Sequence, residues 1–461
     1  MQSPSLEENA SRTWLNRAIL RLAIPNIISN ISIPLLGMVD TALMGRLESE
    51  VYIGAVALGS IIFNFIYWGF GFLRMGTTGL TAQAFGRREK SECSAILGRG
   101  LLLALGLGVL LIALQKIIVF IGFGLIHGDA RVEELAQGYF LIRIYAAPAT
   151  LALYVIQGWF LGMQNARYPM WLTVLVNIIN IFFNIFFVYA LEMKANGVAL
   201  GTVCAQYLGV ALAGWLFWRR YRRYGRSLHF QSILHLQALK RFFSVNFDIF
   251  LRTICLVFTF AFFTAASASL SSLILAANQI LLQYISLMSY AVDGFAFAAE
   301  SLVGRFIGAR QPRLLRLAVV WLFIWGWGWG AFFALLYGLF GRPLLHLFTN
   351  QTAIIQTAQP FLWWMILLPL AGSVAYLWDG VYIGATATKA MRNWMLVATL
   401  LVFLPTYYLS IGPLGNHGLW LALFLFMVAR GLSLGLQAKR SIFLSLEKAL
   451  SSAQARTNLR A

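Results

Sequence analysis

The 461-residue sequence has few charged side chains. They make up 11% of the residues, whereas a soluble domain typically carries about 25%. Too few polar groups are therefore available to cover a surface that faces water. Hydrophobic residues make up 60% of the chain. This composition excludes an ordinary soluble domain and predicts an integral membrane protein.

Cysteine is scarce, and recognisable catalytic motifs are absent. The three cysteines are far apart in the sequence and form no CxxC pair, and no cluster of His and Cys has the spacing of a metal site. Disulfides, a structural metal and a cofactor are therefore not expected. The sequence contains no P-loop, HExxH or nucleophile motif. We therefore expect a protein that is not an enzyme, and ATP-driven transport would need another chain.

Long apolar runs separated by charged clusters predict an all-α membrane protein. A spanning helix needs about 20 apolar residues, and β-barrel strands would alternate over about ten residues, which runs such as 101–114 do not do. Twelve spans are predicted, at residues 18–45, 51–78, 98–126, 137–163, 168–191, 197–218, 242–270, 273–303, 317–347, 358–386, 392–412 and 417–438.

Acidic residues are also few, 16 against 35 Lys and Arg, for a net charge of +19. In a soluble chain this excess would suggest nucleic acid. Here 18 positive residues fall in one set of alternate loops, and four fall in the other: Arg46, Arg131, Lys194 and Arg342. Positive loops stay in the cytoplasm. We therefore expect both termini to be cytoplasmic and no nucleic-acid partner.

The two halves of the sequence resemble each other. At a shift of 222 residues, Gly158 and Gly162 of the fourth span align with Gly380 and Gly384 of the tenth. Each half has six spans, and paired bundles of this kind are a transporter architecture. The predicted segments are a cytoplasmic N-terminal segment (1–17), an N-lobe (18–218), a basic linker (219–241), a C-lobe (242–438) and a cytoplasmic tail (439–461).

Charged residues inside spans indicate function by default, because each costs about 2.5–3.5 kcal/mol on insertion scales. Asp40 lies 19 residues beyond Arg21, or about 28 Å along a helix, in the outer half of the first span. Helix length places three polar residues of the fifth and sixth spans near the same depth: Asn180, Asn184 and Thr202. Asn177 lies three residues before Asn180, on the same side of the fifth span. These residues predict a polar network around one carboxylate.

Asp40 has no obvious cationic partner at its own depth. A carboxyl group removed from water favours its uncharged form, so Asp40 is a candidate for proton uptake and release in competition with a cationic substrate. A neutral, structural Asp40 is the alternative. Pro25 and Pro34 precede it, and because proline kinks a helix, bending of the first span is a candidate link to the charge on Asp40.

The acids of the second half have possible partners. Asp248 stands four residues before Arg252, a spacing that allows pairing on one helical face. Asp293 and Asp379 lie toward the cytoplasmic side, with Arg430 as a candidate counter-ion. We expect a satisfied polar cluster or gate there, with a second ion or substrate site as the alternative. Glu300, near a helix end, is expected to reach water.

Several short motifs are spread along the chain. They are Leu22-Ala-Ile-Pro, Met38-Val-Asp-Thr-Ala-Leu-Met-Gly, Gly79-Leu-Thr-Ala-Gln-Ala-Phe-Gly, Gly158-Trp-Phe-Leu-Gly, Asn196-Gly-Val-Ala-Leu-Gly, Tyr290-Ala-Val-Asp-Gly-Phe-Ala-Phe and Asn416-His-Gly-Leu-Trp-Leu-Ala. In type and order these motifs resemble the multidrug and toxic compound extrusion (MATE) family, and more narrowly its DinF subfamily. The resemblance covers residues 15–440.

The resemblance implies a V-shaped fold of two pseudo-symmetric six-helix bundles that exports cationic and lipophilic compounds from a bacterial cytoplasmic membrane, as a monomer. In proton-coupled members an Asp on the first helix acts with Asn and Asp on the fifth and Thr on the sixth. Asp40, Asn180 and Thr202 match, but Asn184 stands in the second acidic place, which weakens a sodium site. The resemblance also implies that the first helix bends near Pro25.

Three alternatives to a proton-coupled exporter stay open at this point. One is a sodium-coupled multidrug antiporter. Another is a flippase for a lipid-linked precursor, which would line its cavity with cationic residues for a pyrophosphate; the four span arginines are instead scattered over helices and depths: Arg74, Arg143, Arg252 and Arg430. The last is a channel or membrane scaffold, which would accumulate no substrate against its gradient.

Overall fold

The computed structural model describes residues 6–45, 51–125, 129–226, 230–447 and 451. These residues form helices and connecting turns, without a strand. Arg46, one of the four positive residues in the less charged loops, lies outside them. So do residues 1–5 of the N-terminal segment, 227–229 of the linker, and 448–450 and 452–461 of the predicted tail.

Within these described ranges, twelve helices are long and apolar enough to cross a membrane, which confirms the predicted all-α class. They are α1 (Arg12–Met44), α2 (Val51–Gly86), α3 (Lys90–Ala113), α4 (Ala130–Gly162), α5 (Arg167–Ala190), α6 (Lys194–Gly225), α7 (Leu236–Leu270), α8 (Ser272–Gly308), α9 (Pro312–Phe348), α10 (Trp364–Gly384), α11 (Thr388–Leu414) and α12 (Asn416–Glu447). Three short helices are Gln115–Leu125, Phe230–Ile233 and Thr352–Ala358.

Most helices extend beyond the apolar runs that predicted them, because a helix continues past its apolar part into polar residues. For example, α2 ends eight residues after its predicted end at residue 78. One predicted span, 98–126, is instead two helices: α3 ends at Ala113, and a short helix begins at Gln115. The break falls beside the polar pair Gln115 and Lys116. Most of the predicted linker is helical as well, because α6 continues to Gly225.

The helices form two compact units. One contains residues 28–81 and 89–243, and we call it the first unit. The other, the second unit, contains the chain up to residue 27, residues 82–88 and the chain from residue 244 onward. Helix α1 therefore belongs to the second unit up to Ile27 and to the first unit from Ile28. The division into lobes at residues 18–218 and 242–438 stays a prediction.

The internal repeat corresponds to one packing contact in each unit. In the first unit, α4 approaches α2 so closely that a Cβ on Gly158 would lie 2.4 Å from the Arg74 carbonyl oxygen. In the second unit, a Cβ on Gly380 of α10 would lie 2.3 Å from the Ala296 carbonyl oxygen of α8. Arg74 and Ala296 are themselves 222 residues apart. The repeated glycines thus allow equivalent helix pairs to touch backbone to backbone.

The same contact continues one turn further along each helix pair. A Cβ on Gly162 would lie 2.8 Å from the Thr78 carbonyl oxygen, and one on Gly384 would lie 2.6 Å from the Glu300 carbonyl oxygen. Small residues are the usual means by which membrane helices approach this closely. Both glycines of each pair are therefore needed for the observed distance between the helices.

We expect Gly158→Ala and Gly380→Ala each to destabilise the protein by about 1–3 kcal/mol, because the added methyl group overpacks a backbone contact. The measurement is the thermal midpoint of the purified protein in detergent. Gly214→Ala and Gly328→Ala are matched controls, since a Cβ at either glycine meets nothing within 4 Å. Equal midpoints for test and control variants would contradict the proposed role of the close helix contact.

Candidate functional site

A chain of hydrogen bonds in the first unit begins at Asp40 on α1. Its Oδ1 accepts from the Asn184 side-chain amide of α5 at 2.8 Å. The same amide nitrogen donates to Asn180 Oδ1 at 2.9 Å, and the Asn180 amide donates to the Thr202 hydroxyl of α6 at 3.0 Å. Thr202 in turn donates to the Val198 carbonyl at 2.9 Å. The four predicted residues thus form one network across three helices.

The helical spacing of the two asparagines explains this arrangement. Asn180 and Asn184 are four residues apart, so both side chains lie on one face of α5, and both are buried. Asp40 and Thr202 are partly exposed. Directly after Asn184 and Ile185, α5 changes to a π-helical turn, Phe186–Ala190, a feature that is frequent at functional sites.

Gly201 on α6 is a further residue of the site that the sequence did not single out. A Cβ there would lie 2.1 Å from the Asn184 Oδ1 atom, so a larger residue would displace the amide. Asn184 Oδ1 is buried and has no hydrogen-bond partner among the described residues. Gly201 precedes Thr202 directly, so the motif Asn196-Gly-Val-Ala-Leu-Gly contained the signal. The reason for a glycine at 201 becomes visible only with the position of Asn184 on α5.

Asn177 contacts a different part of α1. Its amide nitrogen lies 3.1 Å from the carbonyl oxygen and 3.3 Å from the hydroxyl oxygen of Ser32. Ser32 precedes Asp40 by eight residues, or about 12 Å along the helix. Asn177 therefore joins α5 to α1 two turns away from the carboxylate, while Asn180 and Asn184 lead to Asp40 itself.

The sequence predicted no cationic partner at the depth of Asp40. Among the described residues Asp40 forms no ion pair, but one cationic side chain interacts with it electrostatically. Arg143 of α4 interacts electrostatically with Asp40. Its guanidinium group lies 4.7 Å from the centroid of the Phe63 ring and donates to the hydroxyl groups of Tyr139 and of Ser60, the latter at 3.1 Å. Spacing along one helix did not reveal this interaction, because Asp40 and Arg143 lie on different helices.

Pro25 lies within the continuous helix Leu6–Met44 and is buried. In the turn next to it, the Asn26 side-chain amide donates to the Leu22 carbonyl at 2.8 Å. Pro25 stands two residues before Ile27, where α1 passes from one unit to the other. The proline therefore lies where the packing environment of the helix changes.

The predicted cluster of the second unit has Asp379 at its centre. Asp379 of α10 forms ion pairs with Arg430 of α12, as expected, and also with Arg252 of α7. All three side chains are buried. Asp293 of α8 is partly exposed and interacts electrostatically with Tyr376 of α10. Asp379 is thus held by two arginines, and no amide bonds to it among the described residues.

Two expectations about the second half were wrong. Asp248 bonds to Arg392 at 2.7 Å and to the Thr388 hydroxyl at 2.9 Å, whereas Arg252 bonds to Asp379. Asp248 and Arg252 each bond to side chains of neighbouring helices and not to each other. Glu300 is 1% exposed because the close contact between α8 and α10 covers it, so it does not reach the surface.

The carboxylates of the two units therefore have different kinds of bonding partner. In the first unit the Asp40 carboxylate bonds to the Asn184 amide, which is uncharged and does not neutralise it. The amide also has an oxygen that can accept a hydrogen bond from a protonated carboxyl group. In the second unit Asp248 and Asp379 bond to arginines, which stay charged at any ordinary pH. Asp40 therefore bonds to a neutral partner, whereas Asp248 and Asp379 bond to positively charged ones.

The chain also resembles known proteins. The MatE family profile matches residues 25–186 and 249–409. DNA damage-inducible protein F of Escherichia coli is 40% identical over 429 residues, which cover 92% of each chain. Multidrug resistance protein MdtK of Edwardsiella ictaluri is 25% identical over 92% of this chain and 95% of its own.

Solved structures show the same fold. The crystal structure of a MATE protein in a bent conformation superposes with a TM-score of 0.83 at 19% identity, covering 99% of this chain and 100% of that one. An outward-facing multidrug resistance MATE transporter gives 0.82, also at 19% identity, over 98% and 99%. With the twelve spanning helices, these matches show that the chain belongs to the MATE family of multidrug efflux transporters, as a homologue of the DinF protein.

Proposed function

We propose that this chain exports cationic and lipophilic compounds in exchange for protons, and that Asp40 carries the proton. The observation that supports this most directly is the network Asp40–Asn184–Asn180–Thr202, in which a partly exposed carboxylate bonds to one amide, and that amide leads to a second amide and a hydroxyl. Several relatives are named as multidrug resistance proteins. A cationic substrate and a proton would compete for the one negative charge at Asp40.

The network can bond either form of Asp40. The charged carboxylate accepts the Asn184 amide hydrogen. A protonated carboxyl group has a hydrogen to donate, and Asn184 Oδ1 is a nearby acceptor with no partner among the described residues. An aspartate at 184 would repel the charged form of Asp40. Asn184 therefore supports titration of one carboxyl group alone.

Arg143 gives Asp40 a second interaction that depends on its charge. The positive guanidinium group stabilises the carboxylate but not the neutral acid. Its hydrogen bonds to Tyr139 and Ser60 and its position over Phe63 hold it in place, so the carboxylate has a fixed positive neighbour and no direct ion pair among the described residues. Protonation of Asp40 would remove this attraction and the attraction for a cationic substrate together.

Bending of α1 near Pro25 would connect this change of charge to transport. Pro25 lacks a backbone N–H, so the helix is missing one hydrogen bond there, and the residues on either side of Ile27 belong to different units. Protonation from outside would release the substrate, and deprotonation toward the cytoplasm would restore binding. The loop charges support cytoplasmic termini in a cytoplasmic membrane, with the protein acting as a monomer.

Asp40→Asn is expected to reduce pH-driven drug efflux to less than about a twentieth of the wild-type rate, because the variant has no group to protonate. Efflux is measured in proteoliposomes with an imposed pH gradient. Glu134→Gln is the matched control, since it removes one carboxylate from an exposed position on α4 and should leave efflux unchanged. Full pH-driven efflux by Asp40→Asn would end the proton assignment.

Asn184→Asp tests the choice between protons and sodium. Wild-type efflux at fixed pH should not respond to a sodium gradient, because a monovalent cation would find only one carboxylate in the network. The variant supplies a second anionic oxygen donor next to Asp40, so we expect a sodium gradient to accelerate its efflux at least severalfold. Sodium-driven efflux by the wild type at fixed pH would favour the sodium-coupled antiporter instead.

Pro25→Ala is expected to slow efflux about tenfold while leaving drug binding within about twofold of the wild type, because it restores a backbone hydrogen bond at the proposed bend. The measurements are the efflux rate in proteoliposomes and drug binding by equilibrium dialysis. Pro34→Ala is the control: it removes the other proline of α1 at a site that lies wholly within the first unit. Equal slowing by both variants would argue against a bend specific to Pro25.

A further inference from the structure

Three buried charges meet in the second unit and do not balance. Arg252, Asp379 and Arg430 are 5%, 4% and 1% exposed. Each arginine donates through its Nη2 atom to the same carboxylate oxygen, Oδ2 of Asp379. The two guanidinium groups and one carboxylate sum to one positive charge. Burial of an uncompensated charge is costly, so this arrangement favours a further negative group beside the arginines.

Several hydrogen-bonding atoms of this triad are unused. The Nε atoms of Arg252 and Arg430 and the Oδ1 atom of Asp379 are buried and have no hydrogen-bond partner within the described ranges. The Nε–H and one Nη–H of a guanidinium group can bind a carboxylate through two parallel hydrogen bonds. Here each arginine uses one nitrogen on Asp379, and its Nε–H is left for another acceptor.

The remaining contacts of Arg430 supply no negative charge. Its Nη1 atom lies 3.2 Å from the Met427 sulfur. Its guanidinium carbon lies 5.2 Å from the centroid of the Phe426 ring and 5.8 Å from that of Tyr376. Tyr376 is partly exposed, so the buried arginine has aromatic side chains beside it, one of which reaches the surface.

We propose that Arg252 and Arg430 bind an organic anion, a carboxylate or sulfonate attached to an aromatic or lipophilic body. Its charge would take up the unused Nε–H groups and neutralise the excess positive charge, and its ring would pack beside Tyr376 and Phe426. The inference extends the proposed export function to a second class of substrate. It does not depend on Asp40.

Asp293 is the charged group that competes with this proposal. It lies on α8, is partly exposed and interacts electrostatically with Tyr376. If Asp293 already neutralised the arginines, an external anion would gain little. The experiment therefore needs a variant that removes this carboxylate as well as variants of the triad itself.

Three probes with one ring system separate charge from hydrophobicity: 1-naphthoate, 1-naphthylmethylammonium and 1-naphthamide. Binding to the purified full-length protein in neutral detergent is measured by equilibrium dialysis at low chloride. We expect saturable binding of one 1-naphthoate per chain, with affinity at least tenfold higher than for the amide. Asp40→Asn should bind 1-naphthoate as the wild type does. A failure of the proposed proton coupling therefore does not count as a failure of anion binding.

Variants of the triad should change 1-naphthoate binding in opposite directions. Arg430→Gln should weaken it about ten- to a hundredfold, because a charge-assisted hydrogen-bonding partner is lost. Asp379→Asn should tighten it about tenfold, because the competing carboxylate is lost, whereas a purely structural role would predict weaker binding. Arg316→Gln is the matched control: this arginine is exposed and paired with Glu447, so its loss should have no effect.

If Arg430→Gln does not elute as a single species on size exclusion, Arg252→Gln and the opposite effect of Asp379→Asn carry the test. The proposal is overturned if neither the wild type nor Asp379→Asn binds 1-naphthoate saturably. It is also overturned if chloride at the same concentration competes equally, since the site would then take any small anion. The proposal is overturned as well if 1-naphthoate binds only to Asp293→Asn, because Asp293 would then already supply the negative charge beside the arginines.

Discussion

A polar group in the apolar core of a membrane has no water to bond, so it must find its partners inside the protein. This constraint governs the few charged residues within the twelve spanning helices. Asp40 bonds to Asn184, Asp248 to Arg392 and Thr388, and Asp379 to two arginines. The kind of partner then decides what each carboxylate can do.

An amide and an arginine leave a carboxylate with different chemistry. An arginine holds the carboxylate in its charged form, because the ion pair would be lost on protonation. An amide can donate to the charged form and accept from the neutral one. The DinF homologue therefore has an amide-bonded carboxyl group in its first unit and arginine-bound carboxylates in its second, although both units derive from one repeated sequence pattern.

The repeat is preserved in the backbone and lost in the polar side chains. Gly158 and Gly380 lie against backbone carbonyls of Arg74 and Ala296, and both pairs of positions are related by the same shift of 222 residues. Close helix contact requires a missing side chain, which leaves evolution little freedom at those positions. The polar residues are not constrained in this way, so each unit can acquire its own charges without disturbing the helix pairing.

The sequence by itself determined the class of protein, the number of spans, the repeat, the family and the four residues of the Asp40 network. Long apolar runs and one-dimensional spacing along a helix carry that information. Only the tertiary structure decided that Arg143 acts on Asp40, that Arg252 bonds to Asp379 in place of Asp248, and that Glu300 is buried. These outcomes depend on which helix lies beside which, because spacing along one helix carries no information about the side chains of its neighbours.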